Sequence, residues 1–66
     1  MNAAKKIQIR NEQIWNKIRH LFRVGDDFTP TMVGASVSEL AYLVDVGVLE
    51  ITKINLRGVT IYRRIA

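Results

Sequence analysis

The side chains with the most chemistry to offer are ten lysines and arginines, unevenly spread along 66 residues. Residues 1–23 hold Lys5, Lys6, Arg10, Lys17, Arg19 and Arg23 against Glu12 alone, a balance of +5. Residues 24–50 hold Asp26, Asp27, Glu39, Asp45 and Glu50 with no Lys or Arg, a balance of −5. Residues 51–66 return to +4 with Lys53, Arg57, Arg63 and Arg64. Such a chain is suited to neutralising a polyanion with its two ends, while its middle repels one. Catalytic chemistry has no comparable signal. There is no cysteine, and the single His20 has no companion ligands for a metal. Nothing pairs a nucleophile with a base, so neither an enzyme nor a cofactor is expected. Asp26-Asp27 reads as a polar turn that starts the next element.

Those charges need a scaffold, and the length allows one small domain. A chain of this size buries only about 60% of the surface its unfolded form exposes, so its core must be efficient. The apolar fraction of 48% suits a folded chain. No apolar run reaches the roughly 20 residues of a membrane span, and no signal-peptide core follows Met1. A cytoplasmic location without membrane attachment is the expectation.

Hydrophobic spacing sets the helices. Ile14, Trp15, Ile18, Leu21 and Phe22 form one stripe of a helix over 12–24, with Asn11 as N-cap and Gly25 just past its end. Residues 1–10 form a basic lead-in that reads as an arm, a short strand or an extra helical turn, ahead of a domain over 11–66. Thr29-Pro30 starts a short second helix that Gly34 ends. Ser36-Val37-Ser38-Glu39 matches the S-x-x-E capping box. The helix it opens has Val37, Leu40, Leu43 and Val44 on one face and reaches Gly47 at its C′ position. A second helix followed within a residue or two by a capped, amphipathic third reads as helix-turn-helix.

After Gly47 the apolar period changes from 3.6 to 2, and two β-branched runs flank Asn55-Leu56-Arg57-Gly58. A three-residue loop with Gly58 left-handed pairs Asn55 with Val59. Positions 49, 51 and 53 then oppose 65, 63 and 61. Leu49, Ile51, Val59, Ile61 and Ile65 are expected on the inner face, with Glu50 facing Arg64 and Thr52 facing Tyr62 on the outer one.

Val37–Glu50, VSELAYLVDVGVLE, resembles the third helix of winged helix-turn-helix domains and its run into the wing. Leu40 and Leu43 are followed by Val46, Gly47, two apolar residues and an acid. The tail GVTIYRRI resembles the returning wing strand, so the likeness covers roughly residues 12–65. It implies an α+β winged helix, three helices followed by a two-stranded antiparallel hairpin, that binds duplex DNA. On that pattern Ser38, Ala41, Tyr42 and Asp45 would face the major groove, and Arg57, supported by Lys53, would sit at the wing tip.

Two functions compete. The first is a small transcriptional or genome-maintenance regulator on duplex DNA. Lys5, Lys6, Arg10, Lys17, Arg19, Lys53, Arg57, Arg63 and Arg64 would contact phosphate, and Ser38 and Tyr42 would face the bases. The second is a protein-interaction module, or a homodimer, using the Ser38–Asp45 helix face, which has no Lys or Arg to offer a phosphate.

Overall fold

Helix α1 spans Ala3–Leu21 in the computed structural model, which describes the backbone of residues 3–66 and the side chains of residues 8–66. The stripe of Ile14 and Ile18 is buried as its spacing requires, with Trp15 and Phe22 packed beside it. Of the alternatives open for residues 1–10, helix is the one adopted from Ala3 onward. Asn11 is therefore no N-cap. It lies inside α1 and is only 7% exposed. The helix ends earlier than its periodicity suggests, at Leu21, and Leu21 is half exposed.

The next five residues turn the chain into strand β1, Asp27–Phe28. Gly25 makes that turn with φ 94°, and its N–H donates to the Arg64 carbonyl at 2.7 Å. Helix α2, Pro30–Val33, follows with Thr29 extended at its N-cap and Gly34 left-handed at its C-cap. Helix α3 spans Val37–Asp45. Its capping box closes in both directions: Glu39 N–H donates to Ser36 Oγ at 3.1 Å, and Ser36 N–H donates to Glu39 Oε1 at 3.0 Å.

Strands β2, Leu49–Ile54, and β3, Thr60–Arg64, form the hairpin. Among the described residues the sheet has three antiparallel strands in the order β1-β3-β2. The expected two-stranded hairpin is thus incomplete, because β1 pairs Asp27 with Arg63 and Phe28 with Tyr62. The fold class, α+β with three helices, is as expected.

Register follows the loop and then departs from it. Asn55 N–H donates to the Val59 carbonyl at 2.9 Å, and Lys53 opposes Ile61, both as the three-residue loop dictates. A bulge at Thr52, whose hydroxyl donates to the Ile61 carbonyl at 3.2 Å, then adds one residue to β2. Ile51 consequently opposes Tyr62, Glu50 opposes Arg63 and Leu49 opposes Arg64. Tyr62, expected outside, is fully buried on the central strand, while Ile51, Val59 and Ile65 are exposed and Ile61 is only partly covered. The physical reason is ring packing: Phe22 stacks on Phe28 at 4.9 Å, and Phe28 on Tyr62 at 6.0 Å. That aromatic column joins Ile14, Ile18, Val33, Leu40, Leu43 and Leu49 in the core. No helix among the described residues is long and apolar enough to cross a membrane.

Candidate nucleic-acid interface

The cations expected to meet phosphate separate into those already engaged within the fold and those presented outward. Arg10, on α1, donates through Nε to Glu39 Oε2 at 2.8 Å and through a terminal nitrogen to the Gly34 carbonyl at 3.0 Å. It thereby braces the turn between α2 and α3. Arg63 donates to both oxygens of Asp27, at 2.8 and 3.4 Å, and lies 3.8 Å from Glu50. It ties the three strands together across one face. Arg64 donates to the Phe22 carbonyl at 2.7 Å and to the Ala66 carbonyl at 2.8 Å, with its guanidinium 5.5 Å from the Trp15 ring centre. Arg10 and Arg63 stitch the chain's two ends to its middle, and Arg64 ties the last strand to the first helix and the residue after it.

The pairing has an electrostatic consequence. Three of the five carboxylates in residues 24–50, namely Asp27, Glu39 and Glu50, lie within 4 Å of an arginine. The hydrogen bond from Arg63 holds the Asp27 carboxyl below its ordinary 3.8, opposed by desolvation and helped by the charges of Arg63 and Lys53. The hydrogen bond from Arg10, then that from the Ser36 backbone, holds Glu39 below its ordinary 4.5. Asp27 in turn raises the Arg63 pKa, chiefly through the same hydrogen bond.

A carboxylate with a depressed folded pKa favours the native state above its unfolded pKa and loses that contribution as pH falls through the folded value. Thermal midpoints are therefore expected to hold from neutral pH to about pH 5 and to drop on further acidification. Glu39→Gln, which keeps the S-x-x-Q form of the cap, should flatten part of that drop. Melting curves followed by circular dichroism between pH 3 and 7 check this. An unchanged profile in the variant would remove the Arg10–Glu39 pair from the account.

The outward set is smaller. The Lys17 amine lies over Gly34, 3.6 Å from where a Cβ would stand, so it flanks the turn that Arg10 braces. Arg19 donates to Asn16 Oδ1 at 2.8 Å and lies 5.8 Å from the Trp15 ring centre, near Arg64 from the other end of the chain. Lys53 is exposed on β2, close enough to Asp27 for its charge to be felt there. Arg57 is exposed at the hairpin tip, with no carboxylate partner among the described residues. Its loop is rigid: Asn55 Oδ1 accepts from Arg57 N–H at 2.9 Å and from Val59 N–H at 3.1 Å. Gly58 N–H closes the turn on the Asn55 carbonyl at 2.9 Å. The side chains of Lys5 and Lys6 lie outside the described residues.

On α3, Ser38, Ala41, Tyr42 and Asp45 are all exposed, so the positions named by the resemblance share an accessible face. Beside it runs an open groove of about 470 Å³ between α1 and α3, where Trp15, Tyr42, Leu43, Val46 and Val48 supply the apolar surface and Gln8, Asn11 and Glu12 the polar edge. The groove was not legible in the sequence, where Trp15 reads as core. Trp15 is only partly buried, and it borders the groove. No family model, curated protein or solved structure matches the chain.

Proposed function

We propose that this chain is a winged-helix module that binds duplex DNA mainly through phosphates. The order helix, strand, helix, helix, hairpin, with the first strand beside the last, agrees with the winged-helix arrangement. The observation that favours DNA is the internal neutralisation of the acidic middle by Arg10 and Arg63. With those carboxylates paired, the cations left to meet phosphate include Lys17, Arg19, Lys53, Arg57 and the N-terminal lysines. Arg10, Arg63 and Arg64 are positioning residues in this reading rather than phosphate contacts. Ser38 and Tyr42 on α3 face the bases, and Arg57 on its locked loop meets phosphate or a narrow minor groove.

About four phosphate contacts give log K against log salt a slope between roughly −3 and −4, a loss near 100-fold from 50 to 200 mM salt. Fluorescence anisotropy on a labelled duplex across salt measures it. A flat salt dependence, or no binding at 50 mM, overturns the proposal.

A second reading is favoured by the groove alone. Trp15 and Tyr42 line an apolar trough that a protein partner's side chains would fill. In that case Tyr42→Ala abolishes capture of one protein partner, and the duplex stays unbound at low salt.

A further inference from the structure

Leu56 is the most exposed apolar side chain among the described residues, and it stands at the hairpin tip with its whole surface in solvent. Ile54, the last residue of β2, at 65% exposure, and Val59, just before β3, at 37%, flank it on either side of the loop. A scatter of single exposed apolar residues is ordinary, but here three converge on one protrusion beside Arg57. The protrusion is stiff, since the Asn55 side chain bridges Arg57 and Val59 and Gly58 takes the left-handed turn position with φ 79°. The Thr52 bulge lies at the base of the same ribbon and adds twist to it. No Asp or Glu occurs between residues 51 and 66, so every charged side chain toward the tip of the hairpin is cationic.

From this we infer that Leu56 is a wedge that enters the DNA minor groove and partly unstacks a base step, guided there by Arg57. The inference rests on the DNA-binding reading above and adds to it a mode of engagement. A minor groove about 6 Å wide admits tip side chains but not the ribbon itself. Narrow, A·T-rich grooves concentrate negative potential that attracts Arg57, and flexible TA steps yield most easily to an apolar side chain. The rigid loop loses little conformational freedom on insertion, so the cost of ordering a flexible tip is avoided. Asn55 is the positioning residue, holding Leu56 and Arg57 at the leading edge.

The test uses the full chain and a duplex of about 30 base pairs carrying end labels for energy transfer and 2-aminopurine beside a central TA step. The wild-type chain is expected to raise 2-aminopurine fluorescence about twofold or more and to shorten the end-to-end distance, as wedge insertion unstacks and kinks DNA. Leu56→Ala should lose both signals and bind roughly 5- to 10-fold more weakly at an unchanged salt slope, because no charge is removed. Leu56→Met, which keeps an apolar wedge, should retain them. Arg57→Ala should reduce the salt slope by about one. Both positions are solvent-facing, so circular dichroism should report an unaltered fold. Binding by the wild-type chain without unstacking or bending overturns the wedge and leaves the DNA reading standing. Absence of duplex binding overturns both. Tip-dependent binding to phosphatidylserine vesicles with an undistorted duplex assigns the tip to an anionic membrane surface and overturns the wedge.

Discussion

Arg64→Ala is expected to destabilise the fold by about 2–3 kcal/mol, since hydrogen bonds from a charged donor contribute roughly 1.5–3 kcal/mol and a stacked guanidinium adds to that. The substitution leaves the Phe22 carbonyl at the end of α1 without its donor and uncovers the Trp15 ring. It also removes the side-chain tie from the last strand to Phe22, leaving that junction to the backbone bonds of Arg64 with Gly25 and Asp26. For a domain of this size the thermal midpoint should fall by roughly 10–20 °C. Arg64→Lys should recover only part of the loss, because an ammonium cannot reproduce the planar fork that spans Phe22 and Ala66. Thermal and urea melts of the three proteins decide the matter. A loss below about 0.5 kcal/mol in Arg64→Ala would mean the side chain is an ornament on a junction held by backbone alone.

The second large effect has the opposite sign. The Tyr62 hydroxyl is buried with no hydrogen-bond partner among the described residues, and burial pushes its pKa upward. A buried polar group left unsatisfied costs about 1–3 kcal/mol, whereas the ring beneath it packs against Phe28 and belongs in the core. Tyr62→Phe keeps the ring and removes the orphan, so stability should rise by about 1 kcal/mol or more. The midpoint should climb by several degrees, with roughly 4–8 °C per kcal/mol at this length. A destabilised Tyr62→Phe would show that the hydroxyl has a partner in solution. The conflict at Tyr62 is instructive about the hairpin. An outer position would hydrate the hydroxyl, but the aromatic column from Phe22 through Phe28 needs a third large ring over β3.

The charge pattern deserves the same reading. Its basic, acidic and basic blocks suggest a polyanion partner, and the structure finds a second use for them inside the molecule. Arg10 reaches Glu39 and Arg63 reaches Asp27 across 29 and 36 residues of sequence. Complementary blocks help the two ends fold back on the centre, and only the remainder is available to a ligand. That remainder is smaller than the count of basic residues implies, which is why the expected salt slope is shallower than nine contacting cations would produce.

What the amino-acid order determined by itself lies within a few residues of its own signal. Ser36 and Glu39 form their cap because both partners sit on the same turn of helix. Pro30 and Gly34 bound α2 through their own φ preferences, and Asn55 with Gly58 sets the loop and the pairing nearest to it. Only the tertiary structure decided what depends on competition between distant groups. Strand β1 is two residues long and exists because β3 offers it an edge, so no local periodicity could announce it. The Thr52 bulge and the inward turn of Tyr62 follow from which side chain best fills the space over Phe28, a choice the alternation of Val59, Ile61 and Ile65 argues against. The arginine pairs and the Trp15–Tyr42 groove arise only when α1, α3 and the sheet meet, because proximity in space is a property of packing and not of spacing along the chain.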